Sequence, residues 1–499
     1  MELIGHLLTG IGALTPMDFV YCLIGALLGT LIGVLPGIGP VATIAMLLPT
    51  TFSLSPVGAL IMLAGIYYGA QYGGSTTAIL VNLPGESSSV VTCLDGYQMA
   101  RKGRAGAALG IAALGSFFAG CVATLIIAVF APLLTEVTLS FAAPEYFSLM
   151  VLGLISAVVL ASGSLLKAVA MIVLGLLLGI VGADVNSGME RFTFDVPELA
   201  DGISFVVVAM GVFAFTEIIV NLESGHKREV LASNVHGLLP SWGEIKQCIW
   251  PVLRGTGLGS LLGILPGGGA ILSSFAAYTL EKKLAKDPTR FGQGAIEGVA
   301  APESANNAGA QTSFIPMLTL GIPSNAVMAL MIGAMMIQGI TPGPNVMTSR
   351  PDLFWGLIVS MWIGNAMLVI LNLPLIGVWI RLLTVPYRLL FPAVLLFCCV
   401  GIYSINFSTF DLLIGALFGL LGYVFLKLGC EPTPLLLGFV LGPMMEENLR
   451  RAMLFSRGDP LVFLVRPISL TMLLMAVLLL VIIIAPTMRQ RREQAFQES

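Results

Sequence analysis

Apolar residues run along this chain in long, nearly uninterrupted stretches: 105–133, 145–163, 165–182, 202–220, 351–376 and 468–486. Each approaches or exceeds the roughly 20 residues that a helix needs to cross the hydrocarbon core of a bilayer. Lipid offers no partner to an exposed backbone amide, and runs this long are not the alternating strands of a barrel. The pattern predicts an all-α polytopic membrane protein with about 10–12 transmembrane helices.

Two places break the pattern in the same way. Residues 28–46 read LGTLIGVLPGIGPVATIAM and residues 258–275 read LGSLLGILPGGGAILSSF. Both contain Gly-x-Leu-x-Gly-x-Leu-Pro-Gly-x-Gly, written here from the first stretch with Leu and Ile interchanging, and Gly37 and Gly267 stand 230 residues apart in it. The chain therefore divides into a first half (1–221), a linker (222–254) and a second half (255–499). Broken helices are expected at 33–40 and 263–270. A looser second correspondence joins YYGAQYGGSTTAILVNLPGESSS at 67–89 to APESANNAGAQTSFIPMLTLGIPSNAV at 301–327. Pro84 and Pro323 are 239 residues apart, so one gap separates the two alignments. Discontinuous helices are expected at 72–85, unwinding at Tyr72-Gly73-Gly74, and at 305–325.

Charge gives these breaks a direction. Lys and Arg concentrate in cytoplasmic loops. Here they cluster at Arg101-Lys102-Arg104, Lys227-Arg228 with Lys246 and Arg254, Lys282-Lys283-Lys286-Arg290, and Arg489-Arg491-Arg492. Basic residues flank the second break on both sides, which suits a re-entrant hairpin entering from the cytoplasm. Residues 1–60 hold no Lys or Arg, so the first hairpin would enter from outside. The expectation is two inverted-topology repeats, a plan that recurs in secondary transporters. The acidic loop 183–201, with Asp184, Asp195, Glu198 and Asp201, reads as a solvated outer loop. Arg450, Arg451, Arg457 and Arg466 do not fit: either 432–466 is irregular or one basic cluster lies outside.

The breaks also suggest chemistry. Glycine allows a tight turn, and a freed helix N-terminus presents unpaired N–H groups with partial positive charge. A carboxylate can bind there without a lysine or arginine. Gly37, Gly39, Gly267, Gly268 and Gly269 would supply the turns. Ser75, Thr76, Thr77, Thr312, Ser313 and Ser324 would supply hydroxyl donors. The oxygens of Asn82, Asn306, Asn307 and Asn325 suit a hard cation such as Na⁺. Helix caps use the same residue types, and small residues also serve helix packing. Glu86 and Glu303 lie near the breaks and read either as proton or sodium ligands or as solvated loop carboxylates. Met328, Met331, Met335 and Met336 read as adaptable packing.

Composition narrows the class further. Residues are 57% hydrophobic and 10% charged, with mean hydropathy +0.96; soluble domains carry roughly 25% charged residues. The net charge of −3 gives no reason to expect nucleic acid. Seven cysteines without a CxxC pair and three scattered histidines make a metal cluster or a nucleophile–base pair improbable, so no enzyme chemistry, metal or cofactor is expected. Neither glycine motif continues into the Gly-Lys-Ser/Thr of a phosphate loop, so ATP is not the expected energy source. The start, MELIGHLLTGIG, lacks the basic region of a secretory signal.

GTLIGVLPGIGPVATIAMLLP, YYGAQYGGSTTAILVNLPGE, LPGGGA and GIPSNAVMALMIGAMMIQGITPGP resemble the large membrane subunit of the bacterial tripartite tricarboxylate transporters over nearly the whole chain. The resemblance implies import of citrate or related carboxylates across the bacterial inner membrane, driven by an ion gradient, usually sodium. It also implies two partners, a periplasmic solute-binding protein and a small membrane subunit of about four spans. The two inverted hairpins themselves suggest an elevator-like motion. The rival expectations are a stand-alone carboxylate carrier and an anion channel.

Overall fold

The structure is a computed structural model that describes residues 2–35, 39–138, 140–160, 164–184, 187–224, 237–265, 269–343, 345–383 and 387–484. Gly37, Gly267 and Gly268 lie outside the described residues, as do Lys227, Arg228, Arg489, Arg491 and Arg492. The chain is almost wholly helical, apart from a two-residue ribbon pairing Gly182–Ala183 with Glu190–Arg191.

The first half begins with α1 (Glu2–Ala13), α2 (Pro16–Val34), α3 (Pro40–Leu47), α4 (Pro56–Val81), α5 (Val90–Arg101) and α6 (Ala105–Thr138). It continues through α7 (Ala143–Leu160), α8 (Leu165–Gly179), α9 (Phe205–Ala209) and α10 (Thr216–Ser224), the last two joined by a π-helical turn. The second half opens with α11 (Trp242–Ile264), α12 (Gly269–Leu284), α13 (Glu297–Thr312), α14 (Phe314–Leu320), α15 (Ala326–Ile337), α16 (Asn345–Ser349) and α17 (Pro351–Asn372). It closes with α18 (Ile376–Leu383), α19 (Tyr387–Asn406), α20 (Thr409–Lys427), α21 (Thr433–Phe455), α22 (Val462–Val465) and α23 (Pro467–Ile484). Helix α11 starts at Trp242, inside the stretch expected to be a linker. Among the described residues, five helices are long and apolar enough to cross a membrane: Pro16–Val34, Ala105–Leu133, Phe205–Glu223, Pro351–Asn372 and Thr409–Lys427.

Local chemistry sets the starts of the key helices. Thr15 caps α2 through the amide of Asp18, and the Asp18 carboxylate accepts the Thr15 amide in return, with Pro16 in the first turn. Ser241 and Glu244 form the same box on α11. Ser55, followed by Pro56, caps α4.

Glycine then decides the packing. A Cβ added to Gly25, Gly29 or Gly33 of α2 would lie 2.2, 2.4 and 2.4 Å from the carbonyl oxygens of Met62, Ile66 and Ala70 on α4. The second half repeats this: Cβ atoms on Gly255, Gly259 and Gly263 of α11 would lie 2.4, 2.3 and 2.4 Å from the carbonyls of Ala301, Ala305 and Gly309 on α13. The glycines correspond at 230 residues apart and their partners at 239, the same two spacings that the motifs show. Both numbers rise together within each pair, so α2 runs parallel to α4 and α11 parallel to α13. The segments between them, α3 and α12, therefore run back.

Helices α4 and α13 form the centre. Every residue from Gly58 to Val81 and from Gly298 to Thr312 is buried. They run antiparallel: Ser75 meets Glu303, Gln71 faces Asn306, and the Tyr67 ring lies 6.5 Å from that of Phe314. Around them, α6 and α17 pack on opposite halves, with α1 on α17 through a stacked His6–Trp355 pair at 4.8 Å. Met328, Met331 and Met335 are fully buried in the apolar core beside Leu330 and Ile332, whereas Met336 is exposed.

Ion pairs join the polar ends. Arg104 binds Glu244 at 2.7 Å and Lys102 donates to the Gln293 carbonyl, so three basic segments converge on one face. Arg254 grips Glu281 through two hydrogen bonds of 2.6 and 2.8 Å, tying the middle of α11 to the last turn of α12. Asp184 is buried, not solvated: Arg450 binds it at 2.9 Å, and Arg191 reaches Glu446 at 2.8 Å. Helix α21 is regular, and its Arg450 end lies on the side of the 182–191 loop.

Candidate functional site

The expected unwinding at Tyr72-Gly73-Gly74 does not occur. Helix α4 continues to Val81, and the break falls at Asn82–Gly85, where Asn82 adopts the left-handed conformation with φ 58°. The glycines are there for contact: a Cβ on Gly73 would lie 2.3 Å from the Thr30 carbonyl oxygen of α2. The hydroxyls that follow are satisfied within the helix. Ser75 and Thr76 reach the carbonyls of Gln71 and Tyr72, while Thr77 crosses to the Val34 carbonyl at 2.9 Å, next to the first break. Ser75, Thr76 and Thr77 thus sit within α4, well past its own N-terminus.

The matching break in the second half lies between α14 and α15. Gly321 is left-handed with φ 72°, and it stands 239 residues from Asn82. Thr312 and Ser313 bond back to the carbonyls of Ala308 and Gly309, and Ser313 marks the junction of α13 and α14. Asn325 begins α15: its Oδ1 accepts the Met328 amide at 3.0 Å, and its Nδ2 points to Ser313 Oγ at 3.3 Å and the Tyr67 hydroxyl at 3.4 Å. Ser324 reaches the Ser313 carbonyl at 3.4 Å. Gly269, with φ 47°, starts α12, and a Cβ there would lie 3.5 Å from Asn325 Nδ2. Two helix N-termini, those of α12 and α15, therefore meet at Asn325 with hydroxyls beside them. In the first half Gly39 precedes α3 without a side-chain cap.

A second polar cluster joins the halves below this point. Glu303, fully buried on α13, accepts hydrogen bonds from Ser75 on α4 and Thr92 on α5. Glu86, just past the first break, contacts Ser88, and Asn306 Nδ2 lies 3.3 Å from it. The assignment of the Gln71 amide that satisfies both its atoms turns its nitrogen to Glu86 and Asn306, each at 2.6 Å. Sequence spacing hinted at these carboxylates without predicting their burial. The signal was present, since no Lys or Arg occurs between Arg290 and Arg350, so Glu303 has no nearby basic residue in sequence.

The four asparagines do not converge. Asn82 is an exposed helix end, Asn306 belongs to the Glu86 cluster, Asn307 donates to Ser116 Oγ at 2.7 Å, and Asn325 lies at the tip of α12. Beside Ser75 a cleft opens between α4, α6 and α17, lined also by Tyr72, Ser116 and Asn372. The Tyr72 hydroxyl and Asn372 Oδ1 are buried without a protein partner, as are both amide atoms of Gln311. Such atoms cost about 1–3 kcal/mol each unless water or a ligand meets them. Among the described residues no cluster of three His, Cys, Asp or Glu side chains could hold a metal ion.

The profile of the tripartite tricarboxylate transporter TctA family matches residues 19–437. The chain belongs to this family. TctA proteins are membrane subunits of tripartite carriers, in keeping with a site built from helix ends and carboxylates. The chain is also similar to an uncharacterized 52.8 kDa protein of the TAR-I ttuC' 3' region of Agrobacterium vitis, at 61% identity over all of this chain and 99% of that protein. A second uncharacterized protein, of the TAR-II ttuC' 3' region of Agrobacterium vitis, is 61% identical over 48% of this chain and 99% of its own length. No solved structure matches the chain.

Proposed function

We propose that this TctA-family chain is the substrate-translocating subunit of a secondary active carrier that imports citrate-like carboxylates across the bacterial inner membrane. A periplasmic solute-binding protein delivers the substrate and a small membrane subunit completes the complex. The observation that carries the reading is the meeting of the α12 and α15 N-termini at Asn325. Helix N-termini stabilise negative charge, and Asn325, Ser313 and Tyr67 add donors without a competing basic side chain. Gly269 lies at one side of that site, and Gly39, before α3, is the corresponding residue of the first half.

Antiparallel α4 and α13, each with a parallel glycine-packed partner, support two inverted-topology repeats whose α2–α3 and α11–α12 pairs are re-entrant hairpins. The coupling ion is a cation, with sodium the family expectation. Glu86, with the Asn306 side-chain oxygen beside it, offers it oxygen ligands more convincingly than the four asparagines do together.

The test is uptake of labelled citrate into proteoliposomes holding this chain and its small partner, with the binding protein and an inward sodium gradient each supplied or withheld. Uptake that requires both supports the reading. Uptake without the binding protein would instead support a stand-alone carrier, and uptake that never saturates would support a channel.

A further inference from the structure

The geometry points to Glu303 as a proton-binding group of the transport cycle, reached through the cleft beside Ser75, so that a proton crosses with the carboxylate. This rests on the carrier reading above.

The hydrogen count at Ser75 carries the inference. Its single hydroxyl hydrogen has two claimants: the Gln71 carbonyl oxygen 3.0 Å away and Glu303 Oε2. A carbonyl has no hydrogen to give. With the hydrogen on Gln71, the hydrogen shared with Glu303 has to come from a carboxylic acid. With Glu303 ionised, the serine turns its hydrogen from its own helix to the other half of the protein. Protonation thus switches which half Ser75 donates to. Thr92 holds the other carboxyl oxygen in both states.

The surroundings disfavour a lone negative charge. Glu303 is fully buried, and an ionised carboxylate without a partner is expensive in such a place. No Lys, Arg or His among the described residues pairs with Glu303 or Glu86. The ionisable groups facing Glu303 are Tyr72 from α4, Glu86 beyond the first break and Cys93 from α5. Cys121 on α6 faces Tyr72. Of the other groups on α5, α11 and α12, Asp95 takes three backbone amides and the Tyr278 hydroxyl, and Arg254 takes Glu281. None of them supplies a positive charge.

The cleft supplies the route. Ser75 lines it, together with Tyr72 and Asn372, whose hydroxyl and carbonyl oxygen are buried without protein partners. Water held by those atoms is one hydroxyl from Glu303. A proton taken from water on one side binds the carboxylate and returns to water on the other, with no other bond changed.

The complete complex is tested in proteoliposomes with sodium equal on both sides and the membrane potential clamped. External pH stays constant, so the substrate presented is unchanged, and only the luminal pH is raised. The expected result is that one unit of pH difference raises steady-state accumulation by about tenfold per proton moved. Luminal acidification, followed with an entrapped pH dye, should accompany uptake. Glu303→Gln keeps the shape and both hydroxyl contacts but cannot take up or release a proton, and should lose both responses in whatever uptake remains.

Uptake that ignores luminal pH and moves no protons in the wild type would overturn the inference and leave the carrier standing. So would a Glu303→Gln protein that responds like the wild type. If Glu303→Gln fails to assemble, the dye measurement on the wild type still decides. No uptake of any carboxylate under any gradient would overturn the carrier reading instead.

Discussion

Glu86 and Asn325 stand in the same place in the two halves, 239 residues apart, each at the start of a helical segment just past a left-handed residue. Each also meets an equivalent residue of the other half. Asn306 reaches Glu86 at 3.3 Å and Asn325 reaches Tyr67 at 3.4 Å, and Tyr67 and Asn306 are themselves 239 residues apart. One copy carries an acid and the other an amide, so the two cradles favour ligands of opposite charge.

That asymmetry gives a first prediction. Asn325→Asp puts a negative charge where a carboxylate is expected, and should raise the KM for uptake by about 10- to 100-fold, equivalent to about 1.4–2.8 kcal/mol. Glu86→Gln should leave KM within a few-fold. Concentration-dependent uptake by the two variants checks this, and equal KM values would reject the assignment of the anion to the second tip.

The glycine contacts give a second. Gly259→Val drives a side chain into the Ala305 backbone, which cannot rotate away as a side chain could. Overpacking costs typically about 1–3 kcal/mol, and a backbone neighbour places this site at the upper end. The variant should melt at a lower temperature in detergent. Gly257→Ala, exposed and with nothing within 4 Å of the new Cβ, should match or exceed the wild type.

Thr92→Val removes one of the two hydroxyl donors on Glu303 without changing its shape much. A buried acceptor left unpaired costs about 1–3 kcal/mol. Uptake at fixed substrate should fall and its dependence on luminal pH should move, while Thr50→Val, at an exposed position, should change neither. Initial rates across a luminal pH series provide the check.

Arg254→Ala leaves the nearly buried Glu281 carboxylate without its two charged hydrogen bonds and unties the middle of α11 from the last turn of α12. A loss of about 1–3 kcal/mol is expected, seen as a lower melting temperature. Pairing it with Glu281→Gln should recover part of the loss, because the stranded charge is gone.

Much of the plan could be read from residue order. The Leu-Pro-Gly stretches follow the ends of α2 and α11, and the chain leaves helix at Gly321, close to the proline that the sequence singles out. Tyr72-Gly73-Gly74 misled, because glycine spaced at four residues serves close backbone approach as readily as unwinding, and only the partner helix tells which. Ser75 and Glu303 lie 228 residues apart, so their meeting depends on how α4 crosses α13, which no local pattern encodes. The asparagines looked alike in sequence, yet capping claimed Asn325 and burial claimed Asn306.

The two kinds of seam have different mechanical consequences. Where α2 meets α4, and α11 meets α13, main chain rests on main chain with no rotamers to rearrange, so each couple is stiff and travels as one piece. Where α4 meets α13, the contact is made of hydroxyls, amides and carboxylates that can trade partners at little cost in shape. A shift at the α4–α13 seam can therefore exchange hydrogen-bond partners, whereas a shift within either glycine-packed couple would have to prise main chain from main chain.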